Sequence, residues 1–238
     1  MRSLFALVKK DLKGYFDQLT GYILIILFVG ALSYWFFDAA LAIGEASLRP
    51  LFTVDVSLDQ LSLPWLMAVF VPAATMRLLA EEQRDGTLET LLTQPIRGWI
   101  VLVAKFLSGL AFATVLILAT LGIPIAIETA GSLDIGAAVA QYVGSIFLAA
   151  SFVAIGLFTS SLTRNQIVAF ILGLTLIMLL MLMGHEQVAV KLPTRLSGLL
   201  QTLSPVTHFS SIARGVIDLR DVLYFLSLNF TFLSAAYL

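Results

Sequence analysis

Six apolar runs, most of them about twenty residues long, divide the 238-residue chain. As a helix, a run of that length matches the ~30 Å hydrocarbon layer of a bilayer. Of the residues, 59% are hydrophobic and only 12% are charged, where a soluble domain carries about 25% charge. The expected fold class is therefore an all-α polytopic membrane protein.

The predicted spans cover about residues 20–41, 61–79, 99–127, 135–157, 166–183 and 222–238. Ahead of them, "LFALVKKDLKGYFDQL" (4–19) repeats Leu4, Val8, Leu12, Tyr15, Phe16 and Leu19 at helical spacing, with Lys9, Lys10, Lys13 and Asp17 elsewhere on the wheel. That pattern predicts an amphipathic helix lying in the membrane interface. The second run holds Pro64 and Pro72, whose freed carbonyls a neighbouring helix or water can satisfy. Residues 184–221 are mixed, broken at Pro193 and Pro205, and read as an external or re-entrant segment. The last run is seventeen residues, about 25 Å as a helix, with no basic stop, so a natural tail is expected after Leu238.

Basic residues orient the bundle. Arg2, Lys9, Lys10 and Lys13 precede the first span, and Arg77, Arg84 and Arg97 follow the second. The opposite side has Arg49 in the first connector and none in "ETAGSLD", although Lys191, Arg195, Arg214 and Arg220 narrow the margin. The positive-inside rule places the N-terminus and the 81–95 connector in the cytoplasm.

Much chemistry is excluded at this level. A net charge of −1 gives no reason to expect nucleic acid. Zero cysteines remove disulfides, thiol catalysis and cysteine metal sites. No cleavable leader is expected, since the basic start runs into a full-length span. Asp38, Lys105 and Glu128 lie toward span ends, where side chains reach the interface. No phosphate-binding loop, H-E-x-x-H or G-x-S-x-G is present. His185 and His208 are two histidines where a zinc site needs three or four ligands. No catalytic, cofactor or metal site is expected on this chain.

The polar residues concentrate instead in "EEQRDGTLETLLTQP" (81–95), which has four of the fifteen acidic residues. Arg77, Glu81 and Arg84, three or four apart, predict a helical extension of the second span laced by ion pairs. Asp85-Gly86 is a turn signal. Thr87 can cap a second short helix, with Glu89 in its first turn and Leu88, Leu91 and Leu92 on one face, ended by Pro95. Such a helix either rests on lipid or docks into a groove on another protein.

The segment "PAATMRLLAEEQRDGTLETLLTQPI" (72–96) resembles the signature of type-2 ABC exporter permeases. It is most similar to the subgroup with gliding-motility and nitrous-oxide-reductase-maturation permeases. "SPVTHFSSIARGVIDLRDVLYFL" (204–226) resembles the approach to the sixth span in that subgroup. The resemblance covers the whole chain and implies one permease domain over 1–238 in a bacterial or archaeal cytoplasmic membrane. It implies that residues 87–94 form a coupling helix seated on a separate ATPase subunit. Thr87, Glu89, Leu91 and Leu92 would make the contact, and Glu81, Glu82, Arg84 and Gly86 would shape the approach. ATP and Mg²⁺ would belong to that ATPase, two copies of which would work on two permease chains, identical or homologous, with an extracytoplasmic protein as a further partner. A stand-alone channel or carrier, or a non-transporting scaffold, is the alternative.

Small residues recur every four positions at Gly109 and Ala113, and at Gly136, Ala140 and Gly144. They suit close helix packing within a bundle, or less often a dimer seam. The resemblance also implies a central path lined by the first, second and fifth spans. Those spans offer Tyr22, Phe28, Tyr34, Trp35, Trp65, Phe70 and "IMLLMLM" (177–183), which suit an apolar cargo.

Overall fold

The structure is a computed structural model, describing residues 2–43, 47–54, 61–87, 97–131, 133–185, 193–216 and 218–237. All regular structure among them is helical. The helices are α1 (Arg2–Asp17), α2 (Leu19–Ile43), α3 (Arg49–Phe52), α4 (Leu63–Thr75), α5 (Arg77–Arg84), α6 (Gly98–Leu118), α7 (Gly122–Ala130), α8 (Ile135–Ser161), α9 (Gln166–Met183), α10 (Thr194–Leu203), α11 (Pro205–Ala213) and α12 (Leu219–Tyr237). Five stretches are long and apolar enough to cross a membrane: Leu19–Asp38, Leu63–Arg84, Gly98–Thr129, Ile135–Ser161 and Gln166–Met183. The last predicted run appears as α12, whose Arg220, Asp221 and Asn229 make it the least apolar of the described helices of eighteen or more residues.

Helix α8 is the axis of the bundle and packs against α4, α5, α6, α9, α11 and α12. Its sequence explains why. Ala140, Gly144, Ser145, Ala149, Ala154, Gly156 and Ser160 are all buried, and such small side chains let six neighbours approach closely. A Cβ on Gly156 would stand 2.0 Å from Thr75 Oγ1 of α4, and one on Gly173 of α9 would lie 3.0 Å from Thr159 Oγ1. Three helices therefore meet at one tight junction. Gly109 of α6 packs against Val153 and Leu78, Gly144 against Ile212, and Ala113 and Ala140 are buried. Gly136 is exposed beside the cap residue Asp134.

Two predicted spans are interrupted. The second breaks at Met76 into α4 and α5, four residues after Pro72. Ser160 of α8 bridges the break: its Oγ donates to Met76 O (2.9 Å) and accepts from Leu79 N (3.2 Å) and Ala80 N (3.0 Å). The third, expected unbroken over 99–127, passes through a 3₁₀ turn at Ala119–Leu121 before α7. The cause is Pro124, which has no N–H for the carbonyl of Thr120. The Tyr142 hydroxyl supplies the missing donor at 3.3 Å and also lies 3.0 Å from Thr120 Oγ1.

The amphipathic helix starts at Arg2 and ends at Asp17, so Leu19 falls in α2, where it is exposed. Gly21 permits the corner between the two, since a Cβ there would lie 2.2 Å from the Tyr15 carbonyl oxygen. The residues offered for a central path divide. Tyr22 and Tyr34 are exposed, whereas Phe28 and Trp65 are buried in the bundle.

Candidate functional site

The connector leaves the bundle where α5, α1 and α6 converge. Helix α5 ends at Arg84, Asp85 N donates to Glu81 O at 2.9 Å, and Gly86 takes φ +69°. That left-handed conformation suits glycine. Thr87 Oγ1 then donates back to Glu82 O at 3.4 Å. The turn thus falls at Asp85-Gly86. Glu89, Leu91 and Leu92, with the rest of 88–96, lie outside the described residues.

The ion pairs expected along α5 are replaced by others. Arg84 Nε pairs with its neighbour Asp85 at 3.0 Å. Arg77 turns to the corner between α1 and α2, where it donates to Gln18 Oε1 and, at 3.0 Å, to Thr20 Oγ1. It also sits 5.6 Å over the ring of Tyr15. Glu81 is half-buried and lines a cavity of about 290 Å³ with Lys10, Asp11, Arg77, Glu82 and Lys105.

Glu82 makes the principal contact. Its Oε1 accepts from Lys105 Nζ at 2.6 Å, and the same ammonium lies 3.3 Å from Asp11 Oδ2. The side chains of Lys105, Asp11 and Glu82 are 5%, 9% and 15% exposed. Lys105 does not reach out to the interface as its position near a span end suggests; it turns inward and joins α1, α5 and α6. Two carboxylates around one ammonium leave this cluster acidic, and Lys10 and Arg77 stand on the wall of the adjoining cavity.

Asp11 is not among the α1 residues that the sequence pattern singles out, which are the apolar face and Lys9, Lys10, Lys13 and Asp17. One signal was there. Asp11 sits one turn after Leu7 and one turn before Tyr15, on the face that the helix buries. A carboxylate in that register needs a cation from a neighbour. Tyr15 secures the same face: its ring stacks on Phe112 at 4.3 Å and its hydroxyl donates to Ala74 O at 2.9 Å. Burial pushes the Tyr15 phenol well above its ordinary pKa, against the opposing pull of Arg77, and Asp11 adds to the rise. The hydroxyl therefore stays protonated and donating across the physiological range.

The arrangement ties α1, α5 and α6 together through one buried ammonium. Among the described residues no three His, Asp or Glu side chains gather as metal ligands. At the opposite end, His208 Nδ1 lies 2.8 Å from Asp221 Oδ1, and its ring stacks on Tyr224 at 3.9 Å, tying α11 to α12.

Comparison with known proteins gives the family. Residues 6–227 match the family described as ABC-2 family transporter protein. Over 156 residues the chain is 30% identical to the probable multidrug ABC transporter permease YbhR of Escherichia coli K12, and equally to that of Escherichia coli O157:H7. The match takes in 63% of this chain and 40% of each relative, so the chain spans about two-fifths of the length of the curated relatives it matches. A helical bundle with several membrane-crossing segments, matched to one family over almost its whole length, belongs to the ABC-2 transporter family as a transmembrane permease subunit.

Proposed function

We propose that this permease converts ATP hydrolysis on a separate ATPase into export or mechanical work across a bacterial or archaeal cytoplasmic membrane. Residues 87–94 would be the helix that seats on the ATPase, through Thr87, Glu89, Leu91 and Leu92. The N-terminus and connector would face the cytoplasm, and α12 would complete six spans. One chain would be half of a transporter, paired with an identical or homologous permease and two ATPases that hold ATP and Mg²⁺. The resemblance of 72–96 to the gliding-motility and nitrous-oxide-reductase-maturation permeases supports a reading within that subgroup.

The observation that carries this reading is the buried contact of Lys105 with Asp11 and Glu82. A push delivered at the connector reaches Glu82 three residues before the Asp85-Gly86 turn. From there it can pass to α1 through Asp11 and to α6 through Lys105, because breaking a buried pair costs ~3–5 kcal/mol. The root of the connector is thus stiff, and the glycine turn beyond it is the adjustable joint. An apolar or amphipathic cargo is in keeping with the exposed tyrosines of α2 and the multidrug description of the relatives.

Co-purification with the cognate ATPase tests the assignment. The wild-type pair should form a complex whose ATPase activity responds to the permease. Glu89→Arg with Leu91→Asp and Leu92→Asp should weaken that complex at least tenfold. An intact, fully active complex carrying all three changes would remove residues 87–94 from the contact.

A further inference from the structure

We infer that the cavity at the end of the bundle opposite the connector binds an anionic amphiphile, with Arg49 and Arg214 holding its charged group. The cavity measures about 1170 Å³ and lies among the α3 segment, the start of α8, the end of α9, and helices α10 and α11. Pockets for drug-sized ligands run to roughly 300–1,000 Å³. This one has room for a headgroup and part of a tail.

Its walls are held by specific contacts. Phe52 meets the ring of Tyr142 edge-on at 5.4 Å, and Ser62 Oγ donates to Thr53 O at 2.5 Å, fixing the α3 side. Gln141 is buried and its Nε2 donates to Ala213 O at 2.7 Å, fixing α11 to α8. Gly215, at φ +85°, turns the chain off α11 so close to α8 that a Cβ would lie 2.9 Å from that of Ala137. These contacts hold the walls of an open cavity with exposed Arg49 and Arg214 at its rim, and its mixed lining favours an occupant with both polar and apolar parts.

The charge selects the ligand. Arg49 and Arg214 line the cavity, and among the described residues neither has an ion-pair partner. Asp134 on the same wall spends Oδ1 on capping α8, accepting from Ala137 N at 3.0 Å. Under the orientation proposed above, on which this inference rests, both arginines are on the side where insertion disfavours them. A planar guanidinium pairs well with phosphate or carboxylate, often through two parallel hydrogen bonds. Leu48, Val54, Leu133 and Val206 supply the apolar wall for a tail.

The test is a binding titration of the full-length permease in neutral detergent, read by native mass spectrometry. The probes are dioctanoyl phosphatidylglycerol, dioctanoyl phosphatidylcholine and inorganic phosphate. Phosphatidylglycerol should saturate one site, and Arg49→Ala with Arg214→Ala should weaken it at least tenfold. Arg164→Ala, an exposed arginine at the connector end, should leave the affinity unchanged, and the melting temperature of each lipid-free variant should match wild type. Equal affinity for the two lipids, equal affinity of wild type and the double variant, or no saturable binding would overturn the inference. Phosphate competing as strongly as the lipid would also overturn it, since the tail would then contribute nothing. Orientation is read separately by an impermeant maleimide on Ser47→Cys in intact cells, in a chain that has no other cysteine. Labelling only after the membrane is opened would reject the orientation and leave the binding result standing.

Discussion

Lys105 shows how one residue changes meaning between sequence and fold. By position it is a basic residue seven places into α6, within reach of the interface; by contact it is the shared cation of Asp11 and Glu82. Lys105→Met should destabilise the permease by ~3–5 kcal/mol, because two carboxylates lose their counter-charge in a buried place. Adding Asp11→Asn and Glu82→Gln should recover part of that loss, since neutral groups suffer less from burial without a partner. Thermal melting of wild type and the two variants in detergent checks both statements. A Lys105→Met protein as stable as wild type would show that the cluster is solvated.

At the scale of elements, the decisive features are breaks and close approaches. Ser160 serves three backbone groups at the Met76 break, so Ser160→Ala should expose unpaired donors and cost about 1–3 kcal/mol. The second span would then be looser between α4 and α5, which hydrogen exchange at Leu79 and Ala80 would detect. Gly156 permits the junction of α4, α8 and α9. Gly156→Val should cost about 1–3 kcal/mol or more through the clash with Thr75, and Thr75→Ala should relieve it in part. Helix α9 covers Gln166–Met183, the extent of its apolar run, and the backbone turns at Asp85-Gly86. The 3₁₀ turn leaves no mark in the hydropathy, because the run stays apolar through it, and Pro124 alone marks the place.

At the scale of the molecule, burial is uneven. The membrane-crossing part of α8 is 78% buried within the chain, whereas those of α2 and α9 are 22% buried. Ile167, Ile171 and Leu172 of α9 are exposed, as are Ile23, Ile26 and Leu27 of α2. These faces remain for lipid or for the second permease of the proposed pair. Leu172→Cys in this cysteine-free chain should cross-link under oxidation if α9 lies at the pair's seam. Leu148→Cys, on a residue only 1% exposed, should stay monomeric. A Leu172 variant that remains monomeric while the complex is assembled would place the seam elsewhere.

The sequence by itself determined the medium, the helical class and the position of the connector, because hydropathy and turn chemistry act locally along the chain. A twenty-residue apolar run has few stable alternatives to a membrane helix, and Asp85-Gly86 turns the backbone wherever it is placed. Only the tertiary structure decided what the polar residues inside that frame touch. The partners of Lys105 lie 94 and 23 positions away, and those of Ser160 about 80. No periodicity encodes such distances. They follow from the way the small residues of α8 draw its neighbours together, which sets the buried ion cluster at the connector and the cavity at the far end.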